Sequence, residues 1–361
     1  MFGEADNAPL TDIPVIEKGK AMTDRDDGPK LTLSILDTEE STLRRVKQLG
    51  VKYIHMSPGD GVSTSSRFGM ASLPWTEESL GARVKALEKA GMKLFAHMIS
   101  GFPDAVYGRP NKDRDIENVI KSIKVAGKLG VPVVEYNWYA HRIIEGYYDA
   151  PGRGGATYIA FDYERIKDLP PLPEEGAHTM DEMWANITYF LKAVVPAAEE
   201  AGVRLALHPN DPPAPISRGS EQIMGSIEGW KKLVDIVKSP HNGITFDCGV
   251  TRELGGDPVA VCKYFGERDQ INHVHFRNVV TEIPGQKYTE VYLDEGEVDM
   301  FGVMRELVRQ KYPRLIYPEH PPLIDADREN PFKGISSHRY TGFTYTTAYA
   351  RALLQAAYAV R

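Results

Sequence analysis

Five side chains able to bind metal or move protons recur through the second half of the chain: His208, Asp247, His275, Glu319 and, directly after it, His320. Two neutral imidazoles with two carboxylates suit Mn²⁺, Fe²⁺, Co²⁺ or Zn²⁺; Ca²⁺ and Mg²⁺ favour all-oxygen shells. An ion of that kind stabilises negative charge on the oxygens of a chelated substrate. A histidine beside it titrates near neutrality and can act as general acid or base. A lone histidine at a strand end is more often a hydrogen-bonded core residue than a ligand. Four metal-capable residues at equivalent places in successive elements make a metal centre the better reading, with Mn²⁺ as the first expectation.

Those elements are legible in the hydrophobic pattern. Short runs of branched and aromatic residues at 31–36, 51–56, 93–98, 132–137, 203–208, 243–248, 272–277 and 314–319 read as strands, most of them entered through a turn signal such as Leu-Gly, Ala-Gly or Asn-Gly. Amphipathic stretches with apolar residues three and four apart separate them, among them 41–50, 78–91, 115–130, 187–202 and 227–239. Eight strand–helix units predict a closed (β/α)₈ TIM barrel, in which the strand ends converge on one mouth. A doubly wound open sheet is the alternative, and no GxGxxG turn supports it. His208, Asp247, His275 and Glu319 fall at or near the ends of the last four strands. His273 shares the face of His275 one layer deeper, as a supporting or buried imidazole, and Cys248 faces the other way as a packed thiol. His55 and His97 end strands two and three and are further pocket candidates. Several connections leaving strands are long, from His55 to Trp75, Tyr136 to Glu182, Asn278 to Val298 and His320 to Tyr345, as expected where barrel enzymes build their sites. Aromatics and glycines between Trp138 and Glu182 suit a lid.

The motifs around these residues resemble those of the mannonate dehydratases, within the xylose isomerase-like barrels. HPNDPP at His208, NGITFDCG at Asp247, HVHFRN at His275 and PEHPP at Glu319 are similar to four of that family's signatures, in the family's order. The run from Arg109 through YNW at Asn137 resembles a fifth. The resemblance implies His208, Asp247, His275 and Glu319 as metal ligands and His320 as catalytic acid/base. Asn137, Asn210, Asp211, Arg109 and Arg142 become candidates for substrate binding, with Arg277 also available to fork onto a substrate carboxylate. The chain departs from the pattern in three places. Asp247 stands where the family usually has Cys, and Glu319 where it has Asp. Phe343 occupies the position of a tyrosine held to be catalytic, with Tyr345 close by as the candidate to replace it.

Composition bounds the rest. A net charge of −7 argues against a nucleic-acid surface, and no apolar run is long enough for a membrane helix. Two cysteines make no disulfide framework, which fits a reducing cytoplasm. Residues 1–30 read as a polar arm ahead of a single barrel domain over 31–361, with the oligomeric state left open. The expected reaction is dehydration of a D-mannonate-like sugar acid to a 2-keto-3-deoxy acid. Two alternatives stand beside it. One is a metal-dependent epimerase or isomerase using Glu319 and Glu135 as paired carboxylates; the other is a barrel that only binds sugar acids.

Overall fold

A computed structural model describes residues 25–57 and 73–360. The arm expected over 1–30 and the loop expected between His55 and Trp75 therefore lie largely outside the described residues.

Eight parallel strands close into a barrel: β1 (Lys30–Ile35), β2 (Tyr53–Met56), β3 (Lys93–Ile99), β4 (Val133–Tyr136), β5 (Arg204–Leu207), β6 (Asn242–Asp247), β7 (Ile271–His275) and β8 (Leu315–Tyr317). Each lies within two residues of its expected position. Neighbours in sequence are neighbours in space, with β8 pairing β1 to complete the ring. The longer helices form the outer layer and begin where sequence signals place them. Thr76 and Thr179 close capping boxes with Ser79 and Glu182, and Asp257 caps a helix whose first residue is Pro258. Val46, Leu87, Ile123, Leu191, Leu233 and Leu307 belong to the hydrophobic core, fully buried along the inner faces of the helices. No helix among the described residues is long and apolar enough to cross a membrane.

One feature was not anticipated. The long connections after β4 and β7 meet in a four-stranded antiparallel sheet over the barrel mouth, in the order Asn278–Ile283, Lys287–Val291, Thr157–Asp162, Tyr147–Pro151. Part of the segment expected as a lid, Tyr147–Pro151 and Thr157–Asp162, is thus hydrogen-bonded sheet. Its inner side chains, Phe161 and Tyr288, pack with Ile143 and Ala214 into a small core of their own.

Candidate metal centre and active-site cavity

The strand ends bring one group together. Ligand atoms of His208, Asp247, His275 and Glu319 all lie within 4.8 Å of one another, and all four residues are buried. Asp247 and His275 are register partners on β6 and β7, so both side chains reach the same level of the barrel. β8 stops at Tyr317, and Glu319 follows in the irregular chain after Pro318. Asp247 also caps the short helix Cys248–Glu253, accepting from the Val250 amide at 2.8 Å, which fixes its rotamer.

The hydrogen bonds identify which ring nitrogens face inward. His208 Nδ1 is 2.7 Å from the Pro209 carbonyl, which can only accept, so Nδ1 carries the proton and Nε2 presents a lone pair. His275 Nε2 lies 3.1 Å from Glu135 Oε1, leaving its Nδ1 to face the centre. Those two inward nitrogens are 3.0 Å apart. Roughly that separation arises when two ligands stand at right angles about 2.1 Å from one ion. Glu319 Oε1, 2.8 Å from His275 Nδ1, is buried and has no hydrogen-bond partner of suitable geometry. Burial opposes a charge on His275, yet Glu319 and Glu135 hold its pKa well above the ordinary value. Burial and the neighbouring His275 lower that of His208. The centre thus calls for positive charge between its donors, and the donor set fits a divalent ion.

Glu135 lies beneath the centre. Its Oε1 accepts from Thr245 Oγ1 at 2.7 Å and faces His275 and His273; its Oε2 is 2.9 Å from His55 Nε2. Such a carboxylate orients a ligating histidine. Wholly buried and surrounded by donors, it cannot face a substrate as the epimerase alternative requires. His273 takes the supporting place expected of it, and Cys248 is a buried thiol. His97 points away from the barrel interior, stacked on Trp75 and bonded to the Met56 carbonyl.

Beside the centre opens a cavity of about 370 Å³, lined by Arg142, Ile143, Tyr147, Asp211, Glu290, His320 and Arg339 among others. His320 has a left-handed backbone (φ 48°), which turns its ring off the strand direction. Its Nδ1 is 2.9 Å from Glu290 Oε2, and its Nε2 is 3.6 Å from Glu319 Oε2. Burial alone would lower the pKa of His320; Glu290 and Glu319 raise it to about 9. Asp211 accepts from Tyr147 at 2.8 Å and Tyr288 at 3.1 Å. Burial would raise its pKa, but Arg277 holds it at about 2.

Four expected site residues, Arg277, Arg109, Tyr345 and Asn210, are placed elsewhere. The Arg277 guanidinium is fully buried among Asp211, Asp247, Glu253, Glu290 and Glu319, at 2.6 to 3.6 Å. Buried among internal carboxylates, it is not among the residues that line the cavity. Arg109 stacks on Tyr107 at the surface and donates to the Glu174 carbonyl. Tyr345 is exposed, with its hydroxyl on Asp294, and does not enter the cavity. Phe343, at the position of the family tyrosine, is buried in a stack on Tyr317. Asn210 serves the backbone, its amide and Oδ1 bonding Met224. Arg142 and Asp211 do line the cavity. Asn137 is half-buried just past β4. Glu290, Tyr147 and Arg339 were missed: the first two arrive on the unanticipated sheet, the third at the start of the last helix.

One cluster at the mouth holds a histidine whose pKa is raised by its partners. His141 lies 2.5 Å from Glu175 and 3.3 Å from Glu145, and Glu145 also pairs with Arg218. This ties the connection after β4 to the 172–178 turns and to the Ile216–Glu221 hairpin. Burial opposes protonation of His141, but Glu175 and Glu145 raise its pKa. A raised pKa means the tie is complete below the unfolded value, near 6.5, and is lost as pH rises through the folded one. Protection against hydrogen exchange over residues 137–146, corrected for the intrinsic base-catalysed rise of exchange with pH, should be lower at pH 9 than at pH 6. His141→Gln should remove that difference; an unchanged pH response in the variant would contradict the assignment.

The fold and the strand-end cluster define a TIM barrel with a candidate metal centre at its carboxyl-terminal face. More narrowly, the chain belongs to the mannonate dehydratase family: the family model described as D-mannonate dehydratase (UxuA) matches residues 37–359. Mannonate dehydratase of Streptococcus pneumoniae is 30% identical over 312 residues, 78% of this chain and 84% of that protein. The Thermotoga maritima enzyme is 31% identical over 310 residues, 75% and 84%. The crystal structure of mannonate dehydratase from Streptococcus suis serotype 2 superimposes with a TM-score of 0.77 at 28% identity, covering 91% of this chain and 96% of that one. An L-ribulose 3-epimerase matches with a TM-score of 0.55 at 13% identity, over 91% and 96%, and shares the barrel alone. The chain is therefore an enzyme of the sugar-acid dehydratase class, a hydro-lyase.

Proposed function

We propose that this enzyme removes water from D-mannonate, giving the 2-keto-3-deoxy acid, with one divalent ion held by His208, Asp247, His275 and Glu319. The observation that carries the reading is the pair of inward imidazole lone pairs facing two carboxylates, beside a cavity that His320 lines. Two imidazole nitrogens with two carboxylates suit Mn²⁺, with Fe²⁺, Co²⁺ or Zn²⁺ compatible with the same donor set. When bound, the ion supplies charge stabilisation to the substrate oxygens, worth several kcal/mol.

The chain's own residues do the rest. In the reaction the C2–H and C3–O bonds break, a C2–C3 double bond forms, and the enol then takes a solvent proton at C3 to become the ketone. Glu290 holds the His320 ring by Nδ1, leaving Nε2 to take the carbon-bound proton or protonate the departing hydroxyl. Arg142, Asp211 and Asn137 bind substrate, with Tyr147 fixing the Asp211 carboxylate from the roof. Arg277 neutralises the acids behind the ligands, so that buried carboxylates and an ion coexist without a large net charge. A reducing cytoplasm suits Cys248 and Cys262, both free thiols.

Incubating Mn²⁺-loaded protein with a panel of aldonates tests this reading. Release of a 2-keto-3-deoxy acid from D-mannonate, abolished by chelator and restored by Mn²⁺, is the expected result. Turnover indifferent to chelator, or an epimerised sugar as product, would overturn it.

A further inference from the structure

The sequence offered Arg277, Arg109 and Arg142 for the carboxylate of a sugar acid. Arg277 is consumed by five acids, and Arg109 lies at the surface. Arg339, which no motif singled out, lines the cavity wall with Arg142 and His320. It is half-buried, and the only hydrogen bond of its side chain to the described residues runs from Nη1 to the Pro321 carbonyl at 2.8 Å. No carboxylate of the described residues is within ion-pair distance. Glu290 and Asp149, also on the cavity wall, act on it only from further away.

The surroundings hold this guanidinium where it is. Ser337 and His338 both have left-handed backbones, at φ 56° and 59°, a costly conformation for two consecutive residues other than glycine. Upstream, Ile335 bridges Ile35 of β1. Downstream, Asp327 caps the final helix, accepting from the Thr341 and Gly342 amides at 2.8 Å each. Asp327 is therefore hydrogen-bonded to backbone and, like Glu290 and Asp149, acts on Arg339 only from further away. With Nη1 engaged by Pro321, the edge formed by Nε and Nη2 remains for a ligand. That planar edge matches the two oxygens of a carboxylate. A charged, half-buried donor fork without an acid partner is unfavourable in the free enzyme and is relieved by an anionic ligand.

We infer that Arg339 receives the carboxylate of the substrate and makes the cavity selective for acids over the corresponding neutral polyols. The inference rests on the sugar-acid reading above. Arg339→Gln should raise KM for D-mannonate about 10- to 100-fold, the worth of a lost charge-assisted pair, with a smaller change in kcat and unchanged metal content. Arg339→Lys should recover part of the loss, and added guanidinium should partly rescue Arg339→Gln. A second arm needs no turnover: thermal stabilisation of the Mn²⁺-loaded protein by D-mannonate and by D-mannitol. Wild type should prefer the acid and Arg339→Gln should not. If wild type fails to dehydrate D-mannonate yet shows an acid preference that Arg339→Gln abolishes, the functional reading falls and this inference stands. Equal D-mannonate stabilisation in wild type and in both Arg339 variants would overturn it.

Discussion

His208→Ala protein, prepared metal-free and then soaked in Mn²⁺, is expected to retain far less than the roughly one equivalent held by wild type. The loss should be this large because, among the described residues, the cluster consists of these four ligands alone. His208 Nε2 faces His275 across 3.0 Å, and the next donors, on Glu135, are engaged beneath the centre by Thr245, His273, His275 and His55. With the ion lost, Asp247 and Glu319 face each other with less positive charge between them. Thermal stability should therefore depend on added Mn²⁺ in wild type and lose that dependence in the variant, by mass action on the folded state. Elemental analysis reads the first effect and a melting series the second. Unchanged stoichiometry in His208→Ala would remove this residue from the ligand set.

His320→Asn should keep its metal and lower turnover by about 10²- to 10⁴-fold, the usual worth of a positioned acid or base. Asparagine is the informative replacement because position 320 requires a left-handed backbone, which asparagine tolerates better than most residues. Its side-chain amide can also still donate toward Glu290, so the local fold is disturbed little. His320 Nε2 is 3.6 Å from Glu319 Oε2, close enough to serve a substrate chelated beside that ligand. Metal content separates the two roles the ring could have. Loss of the ion would make His320 a ligand, and normal turnover would remove it from the chemistry.

What the sequence revealed follows from the range of the interactions involved. The barrel strands were readable because a buried parallel strand is marked locally by a short branched run between turn signals. The four candidate ligands were readable because the barrel converts equivalent strand positions into neighbours, as the Asp247–His275 register shows. The roof sheet was only partly hidden. Residues 278–291 alternate around Pro284-Gly285, a recognisable hairpin turn, with Gly285 at φ 71°. Its pairing with Thr157–Asp162, far away in sequence, had no local signature. Glu290 and Tyr147 were lost with it. Arg277 was misjudged for a related reason: position two after a ligand says that it points inward, not that five carboxylates already meet it there. Phe343 and Tyr345 lie two apart on a helix, so they face different directions; one is buried on Tyr317 and the other is exposed.

The most direct test of the central claim is to run the reaction of the Mn²⁺-loaded enzyme with D-mannonate in D₂O and follow it by NMR. Dehydration by proton removal at C2 and loss of the C3 hydroxyl predicts a 2-keto-3-deoxy acid carrying a solvent deuteron at C3. A product that retains every hydroxyl, with deuterium at an inverted carbon, would instead identify an epimerase and contradict the account.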